Sequence, residues 1–293
     1  MEAKPKKTAK PPKEKKGKFL FYDDNYQLYT KLAQSSVIPY EIISSNYTYT
    51  IKSELFTGGE ISFCQNMMSN QCFAAFAKVR SDIIKSGLLA PNFAPDYLKY
   101  FKFNEDKILK YAPEKIYNVD IKSAYASVLY LNNFIQKKTY GYLMSLKKVD
   151  RLAAVGMLAS SKKHFIMNGK ECVSTFTKKS EYSNYFFYCV NKVNELMSEC
   201  ADQIGNDFLF FWVDGIFCKT EEAAKKVTKI LEKHGYRYSF DVCESFRMVE
   251  NEREKVLEYF KPKKDGRDFK RLSMPKKNDE AAKFILEMLS ILK

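Results

Sequence analysis

Two short apolar runs, each ending in a single carboxylate, constrain this chain more than any other feature. Lys115-Ile-Tyr-Asn-Val-Asp120-Ile121 opens into Lys122-Ser-Ala-Tyr-Ala-Ser127, and Phe208-Leu-Phe-Phe-Trp-Val213 meets Asp214-Gly215-Ile-Phe217. Runs this short, rich in aromatic and β-branched residues, read as buried strands. Asp120 therefore ends one strand, Asp214 caps a turn beside another, and both are candidates to project into one groove. Phosphoryl transfer by two divalent ions needs carboxylates held that rigidly, because in-line displacement tolerates little misplacement of the attacking and leaving oxygens. Each segment alone has a plainer reading: Asp-Gly is a hairpin turn, and Asp120 or Ser123 is a helix N-cap.

The elements around these runs set the fold class. Lys18–Tyr22 and Asn46–Leu55 read as strands, the second broken at Gly58-Gly59. Asn66–Ile84 has helical apolar spacing closed by Gly87 and Pro91, and residues 90–113 read as a Pro-punctuated linker carrying at most a short helix. Ser123–Asn132, Asp150–Lys162, Ser180–Ala201 and Glu221–His234 are expected helices, and Tyr236–Cys243 an expected strand. His164–Met167 and Glu171–Phe176 flank Asn168-Gly169, a strong hairpin signal. A Glu/Arg/Lys-rich segment, a basic hairpin around Asp265-Gly266 and a terminal helix over Asp279–Leu292 complete the reading. The order describes an α+β domain with a central antiparallel sheet.

Charge narrows the partner. The net charge is +14, and most of it lies in two segments. Residues 1–18 hold eight lysines against Glu2 and Glu14, and residues 261–277 hold eight Lys or Arg against Asp265 and Asp268. Concentrated basic segments fit a polyanion such as nucleic acid; for the Lys/Pro tail 1–18, which lacks packing residues, a disordered solubilising tail is the competing reading. Seven cysteines without a C-x-x-C pair and only two histidines argue against a zinc ribbon, a disulfide framework or histidine chemistry. No apolar run reaches membrane-spanning length, so a cytoplasmic protein with no membrane partner is expected.

The motif residues carry a family resemblance. Asp120-x-x-Ser123-x-Tyr125-x-Ser127 resembles the first catalytic motif of family B DNA polymerases, D-x-x-S-L-Y-P-S, and Trp212-Val-Asp214-Gly-Ile is similar to that family's D-T-D-S-I turn. Phe56-Thr-Gly58-Gly59 resembles the Y-x-G-G element of the protein-primed phage branch, and Arg151–Ala159 stands where the fingers motif K-x-x-x-N-S-x-Y-G belongs. The resemblance covers roughly residues 50–275 and implies a palm with a central antiparallel sheet, minimal fingers helices and a small basic thumb.

It also implies roles. Asp120 and Asp214 would bind two Mg²⁺, with Mn²⁺ as a substitute. Ser123 and the backbone after Asp120 would meet the triphosphate of a dNTP, Tyr125 would lie under its sugar, and Arg151 with Lys148 would neutralise its charge. Phe56, Gly58 and Gly59 would border the template, and Lys255, Tyr259, Lys263, Lys264 and Arg267 would grip the DNA primer–template. From the residues alone, Tyr125 reads equally as a core aromatic, Arg151 as a solvated helix charge and Lys255 as a helix-surface charge.

The implied division is a tail at 1–18, an N-terminal region at 19–113, a palm at 114–250 with fingers at about 128–163, and a thumb-like region at 251–293. The chain departs from the family pattern in Trp212, which replaces the first Asp of the turn, and in Val155, Gly156 and Leu158 of the fingers motif. About 50 residues precede Gly58, too few for the usual exonuclease domain, so proofreading is expected to be absent. The expectation is a reduced DNA polymerase of a virus or mobile element, with a terminal protein or a separate exonuclease as further partners. A non-catalytic, nucleic-acid-binding palm-like accessory protein and a metal-dependent nuclease are the alternatives; the nuclease usually requires a third acidic or His ligand, which neither segment supplies.

Overall fold

The computed structural model describes residues 20–21, 23–36, 38–45, 48–64, 69–92, 101–103, 115–250, 255–263 and 266–274. Along the chain, β1 (Leu20–Phe21), α1 (Asp23–Gln34), β2 (Tyr40–Ser44), β3 (Thr48–Lys52) and β4 (Glu60–Cys64) come first. Next follow α2 (Asn70–Ser86), β5 (Phe101–Phe103), β6 (Lys115–Ile121), α3 (Ala124–Leu131), α4 (Lys137–Ser145) and α5 (Lys148–Gly156). The hairpin β7 (Ser161–Asn168) and β8 (Glu171–Lys179) precedes α6 (Ser183–Ile204), β9 (Phe208–Trp212), β10 (Gly215–Cys218) and α7 (Glu221–Lys233). The last described strands are β11 (Tyr238–Glu250), β12 (Lys255–Lys263) and β13 (Gly266–Met274).

The protein is α+β and divides into two compact units, residues 1–67 with 162–178, and residues 68–161 with 179–293. The sequence-based division instead sets its boundary at 113/114 and groups 162–178 with the palm. The hairpin leaves that group because β7 pairs with β2, Tyr40 facing Met167 and Ile43 facing His164.

The first unit is a sheet of order β1-β4-β3-β2-β7-β8, antiparallel except for the short β1–β4 pair. Its core joins Ala33, Tyr40, Ile42, Ile51 and Phe63, with Tyr26 set edge-on to Phe63. Helix α1 has no counterpart in the sequence reading because Leu28 and Leu32 are exposed and aromatic Tyr26 and Tyr29 pack on the core instead, which blurs the apolar period. Tyr40 Oη donates 2.8 Å to the carbonyl of Gly169, tying β2 to the tip of the β7–β8 hairpin.

The second unit is built on a sheet of order β13-β12-β11-β6-β10-β9-β5, antiparallel throughout. Strand β6 lies at its centre, with Ile116, Val119 and Ile121 buried. Phe210 and Phe217 stack at 4.2 Å on adjacent strands, and each fully buried large side chain in such a layer contributes about 1.5–3 kcal/mol. Helix α6 buries Phe186, Cys189, Val190, Val193, Leu196, Met197 and Cys200, the three-and-four spacing of an amphipathic helix.

The region expected as a thumb is, in its described part, a continuation of this sheet. Arg267 lies opposite Pro262 and Lys263 opposite Gly266; Lys255 and Tyr259 stand on β12, so the helical reading of Lys255 is replaced by a strand. The segment read as merely Glu/Arg/Lys-rich continues β11 to Glu250 instead, because antiparallel pairing to β12 supplies the partners that a charged edge lacks in sequence. Within 90–113, β5 is a strand, and residues 93–100 and 104–113 of the expected linker lie outside the described residues. The tail 1–18, Lys264 and the expected helix at 279–292 lie outside the described residues. Among the described residues no helix is long and apolar enough to cross a membrane.

Helix α7 begins where β10 ends, and Thr220 Oγ1 accepts the Ala223 N–H at 3.2 Å as its N-cap. Removing that acceptor orphans one donor at a helix packed on the central strands. Thr220→Ala should lower unfolding stability by about 1 kcal/mol, read as a lower urea midpoint with unchanged slope.

Candidate functional site

Asp120 and Asp214 converge because the backbone pairing leaves them no alternative. In the antiparallel ladder Gly215 lies directly opposite Asp120, and Trp212 lies opposite Gly215, so Val213 and Asp214 form a two-residue loop beside the end of β6. The Ile121 N–H donates 2.9 Å to the carbonyl of Asp214, clamping the loop onto the strand that carries Asp120. Val213 holds φ 55°, a left-handed conformation that β-branched residues rarely adopt. Such strain persists only where surrounding structure imposes it, and it clusters at functional sites.

Electrostatics reports the same convergence. Burial, then the charge of Asp120, pushes the Asp214 carboxyl up to about 7, against the opposing pull of its own backbone and of Lys148. A carboxyl that resists ionisation at neutral pH, with a second carboxylate nearby, is what a divalent cation relieves. Asp120 and Asp214 thus fit a divalent ion on this structure's own terms. Among the described residues no cluster of three or more His, Cys, Asp or Glu side chains is poised for a metal. Asp241 lies on the sheet face of Asp120, opposite Asn118 on β11, one row away from the pair.

Two residues that the sequence reading did not single out shape the pair. A Cβ at Gly215 would stand 3.1 Å from Asp120 Oδ1 and 3.4 Å from Asn118 Nδ2, so glycine there leaves the carboxylate its place. Asn118 is buried and donates Nδ2 to the Ile216 carbonyl at 3.3 Å, bridging β6 and β10 beneath Asp120. The alternating apolar pattern hid Asn118, since its polarity is absorbed by a neighbouring strand; only register discloses it.

Ser123 is the N-cap of α3 but makes no side-chain cap, and it sits at φ 55° and ψ 50°. Its buried Oγ has no hydrogen-bond partner among the described residues. The plain capping reading of Ser123 is therefore not the observed one, and Asp120, three residues earlier within β6, does not hold the N-cap position. Tyr125 packs edge-on against Phe186 at 5.4 Å and stays half-buried, combining the core and surface readings.

The two cations expected at a triphosphate, Lys148 and Arg151, separate. Lys148, exposed at the start of α5, is the one whose charge acts on Asp214. Arg151 folds back, donating Nη1 to the Leu146 carbonyl at 3.2 Å, with its buried Nε unpartnered among the described residues. The Y-x-G-G-like residues belong to the other compact unit, at the β3–β4 turn. Gly58 and Gly59 hold φ 87° and 78° with no atom within 4 Å of a built Cβ, so in the described structure they answer to turn geometry rather than to close approach. Phe56 is half-buried, edge-on to Tyr29 at 5.7 Å.

Compared with protein-family models and with curated proteins, the chain matches none.

Two outcomes follow from this geometry. Free Asp titrates near pH 3.9 when unfolded, whereas folded Asp214 titrates at about 7. Between those values the native state binds the extra proton, so stability without divalent ions falls as pH rises through this window and levels above it. Asp214→Asn removes that fall, and chelator-treated variant should gain urea stability over the parent at pH 8 relative to pH 5. Gly215→Ala should leave the fold intact yet weaken Mn²⁺ binding roughly 10- to 100-fold, the range seen when the support of a metal ligand is disturbed, as measured by calorimetric titration.

Proposed function

We propose that this chain is a template-directed DNA polymerase that adds dNTPs to a primer 3′ end by two-metal-ion phosphoryl transfer on a family B-like palm. The observation that carries the reading is the Asp120–Asp214 pair, held at adjacent strand ends by the β6–β10 ladder with Asp214 pushed up to about 7. Its surroundings are of the right kind: an unpartnered buried hydroxyl at Ser123, a half-buried aromatic at Tyr125 and the Lys148 charge.

Asp120 and Asp214 would hold Mg²⁺, which when bound supplies charge neutralisation at the phosphates and acidifies the attacking hydroxyl. The chain's own groups do the rest. The Ser123 Oγ and the first N–H groups of α3 offer donors to a triphosphate oxygen, as a helix N-terminus does for anions. Lys148 offsets negative charge at the pair, and the ring of Tyr125 offers a flat surface on which a deoxyribose can rest. The basic hairpin positions Lys263 and Arg267, together with the tail 1–18, would bind the duplex through phosphates and without sequence preference.

The test is extension of a labelled primer–template with Mg²⁺ and dNTPs beside Asp214→Asn. The parent should extend the primer and leave a mismatched 3′ end undegraded; the variant should not extend. Binding isotherms across a salt series separate charge from chemistry. Lys263→Ala with Lys264→Ala and Arg267→Ala should weaken binding and flatten the logarithmic salt slope by about 0.9 for each phosphate no longer neutralised. Asp120→Asn should abolish extension with affinity unchanged or slightly raised. Equal affinity losses in both classes of variant would favour the accessory-protein reading.

A further inference from the structure

Strand β9 is buried from Phe208 to Phe211 and opens to solvent only at Trp212, its last residue before the loop of Val213 and Asp214. Trp212 faces Gly215 across the hairpin, and Gly215 faces Asp120 across the next ladder. Residues directly opposite on antiparallel strands carry their side chains on one face. The indole and the Asp120 carboxylate therefore share a face, with a residue between them that has no side chain. Two strand spacings, roughly 10 Å, separate their backbones.

A flat aromatic surface beside a carboxylate pair suits a ligand with a π-face at one end and a phosphate or hydroxyl at the other. A nucleotide has that form. The indole N–H is a donor only, which agrees with the acceptor-rich edges of nucleobases and with phosphate oxygens. Trp212 is half-buried, and on its other side it lies opposite Phe101 of β5.

We infer that Trp212 is a stacking subsite for the base at the 3′ end of the primer strand, holding the terminal sugar hydroxyl toward Asp120 and Asp214. The inference rests on the polymerase reading of that pair, and it makes the replacement of an acidic residue at this turn a positioning device.

Trp212 is the single tryptophan of the chain, so its emission reports on this subsite alone in the unmodified protein. The full chain is titrated with a primer–template bearing a free 3′ end, with the same duplex closed into an end-less dumbbell, and with dNTP alone, while anisotropy of a labelled DNA follows binding independently. The expected result is quenching by the free 3′ end only. Binding of the primer–template without quenching, equal quenching by the dumbbell, or quenching by dNTP alone overturns the subsite and leaves the polymerase reading standing. If no DNA binds and Mn²⁺ does not quench Trp212, the polymerase reading falls and the subsite with it.

Kinetics supplies the second measurement. Trp212→Ala should raise the primer KM roughly 5- to 150-fold, the range for removing one aromatic ring from under a stacked base, with a smaller change in kcat, and Trp212→Phe should restore most of it. An equal defect in both variants, or a fall in kcat alone, overturns the assignment.

Discussion

Two carboxylates are kept together here against their own repulsion, and the force that keeps them is backbone pairing. The ladder that sets Gly215 opposite Asp120, reinforced by the Ile121 N–H to the Asp214 carbonyl, allows neither side chain to withdraw by moving its strand. Burial first, and the Asp120 charge second, leave an Asp214 that resists ionisation. A further cost is a β-branched Val213 in the left-handed region. Both are offset by the apolar layers around β6, whose Ile116, Val119 and Ile121 bury surface on the two faces of the sheet.

The same centre organises what surrounds it. Helix α3 starts just after the strand that carries Asp120, so Ser123 follows Asp120 by three residues through chain connectivity alone. Helix α5 brings Lys148 within electrostatic reach of Asp214 from a different part of the chain, which requires the packing of the unit rather than connectivity. This division explains why the charge near the pair comes from Lys148 while Arg151 is engaged with the Leu146 carbonyl. The charge that acts on Asp214 and the charge that folds back lie one helical turn apart on α5.

Strand runs and helices are legible wherever side-chain periodicity and turn chemistry agree. The bounds Lys115–Ile121 can be read directly, and Gly87 closes α2 in the left-handed conformation with its N–H to Ile84. Strands β2 and β4 and helix α1 are not legible. Each is short or packs through tyrosines whose burial depends on partners distant in sequence, and propensity yields to such tertiary packing. The β12 strand is ambiguous for a related reason, because charges spaced among apolar residues resemble the surface of a helix until the pairing strands β11 and β13 are known.

Local pattern and composition suffice for the α+β class, for the two aspartates at strand ends and for the two concentrated basic segments. They do not suffice for the details of the pair. That Gly215 makes room for the Asp120 carboxylate, that Asn118 bridges β6 and β10 beneath it, and that the Ser123 side chain caps nothing emerges only once the strands are paired and packed. The same holds for Trp212 and Asp120 sharing one face of the sheet. Register is the physical reason: a shift of one residue would turn the strand side chains to the opposite face, and register is set by pairing between segments that are remote from one another along the chain.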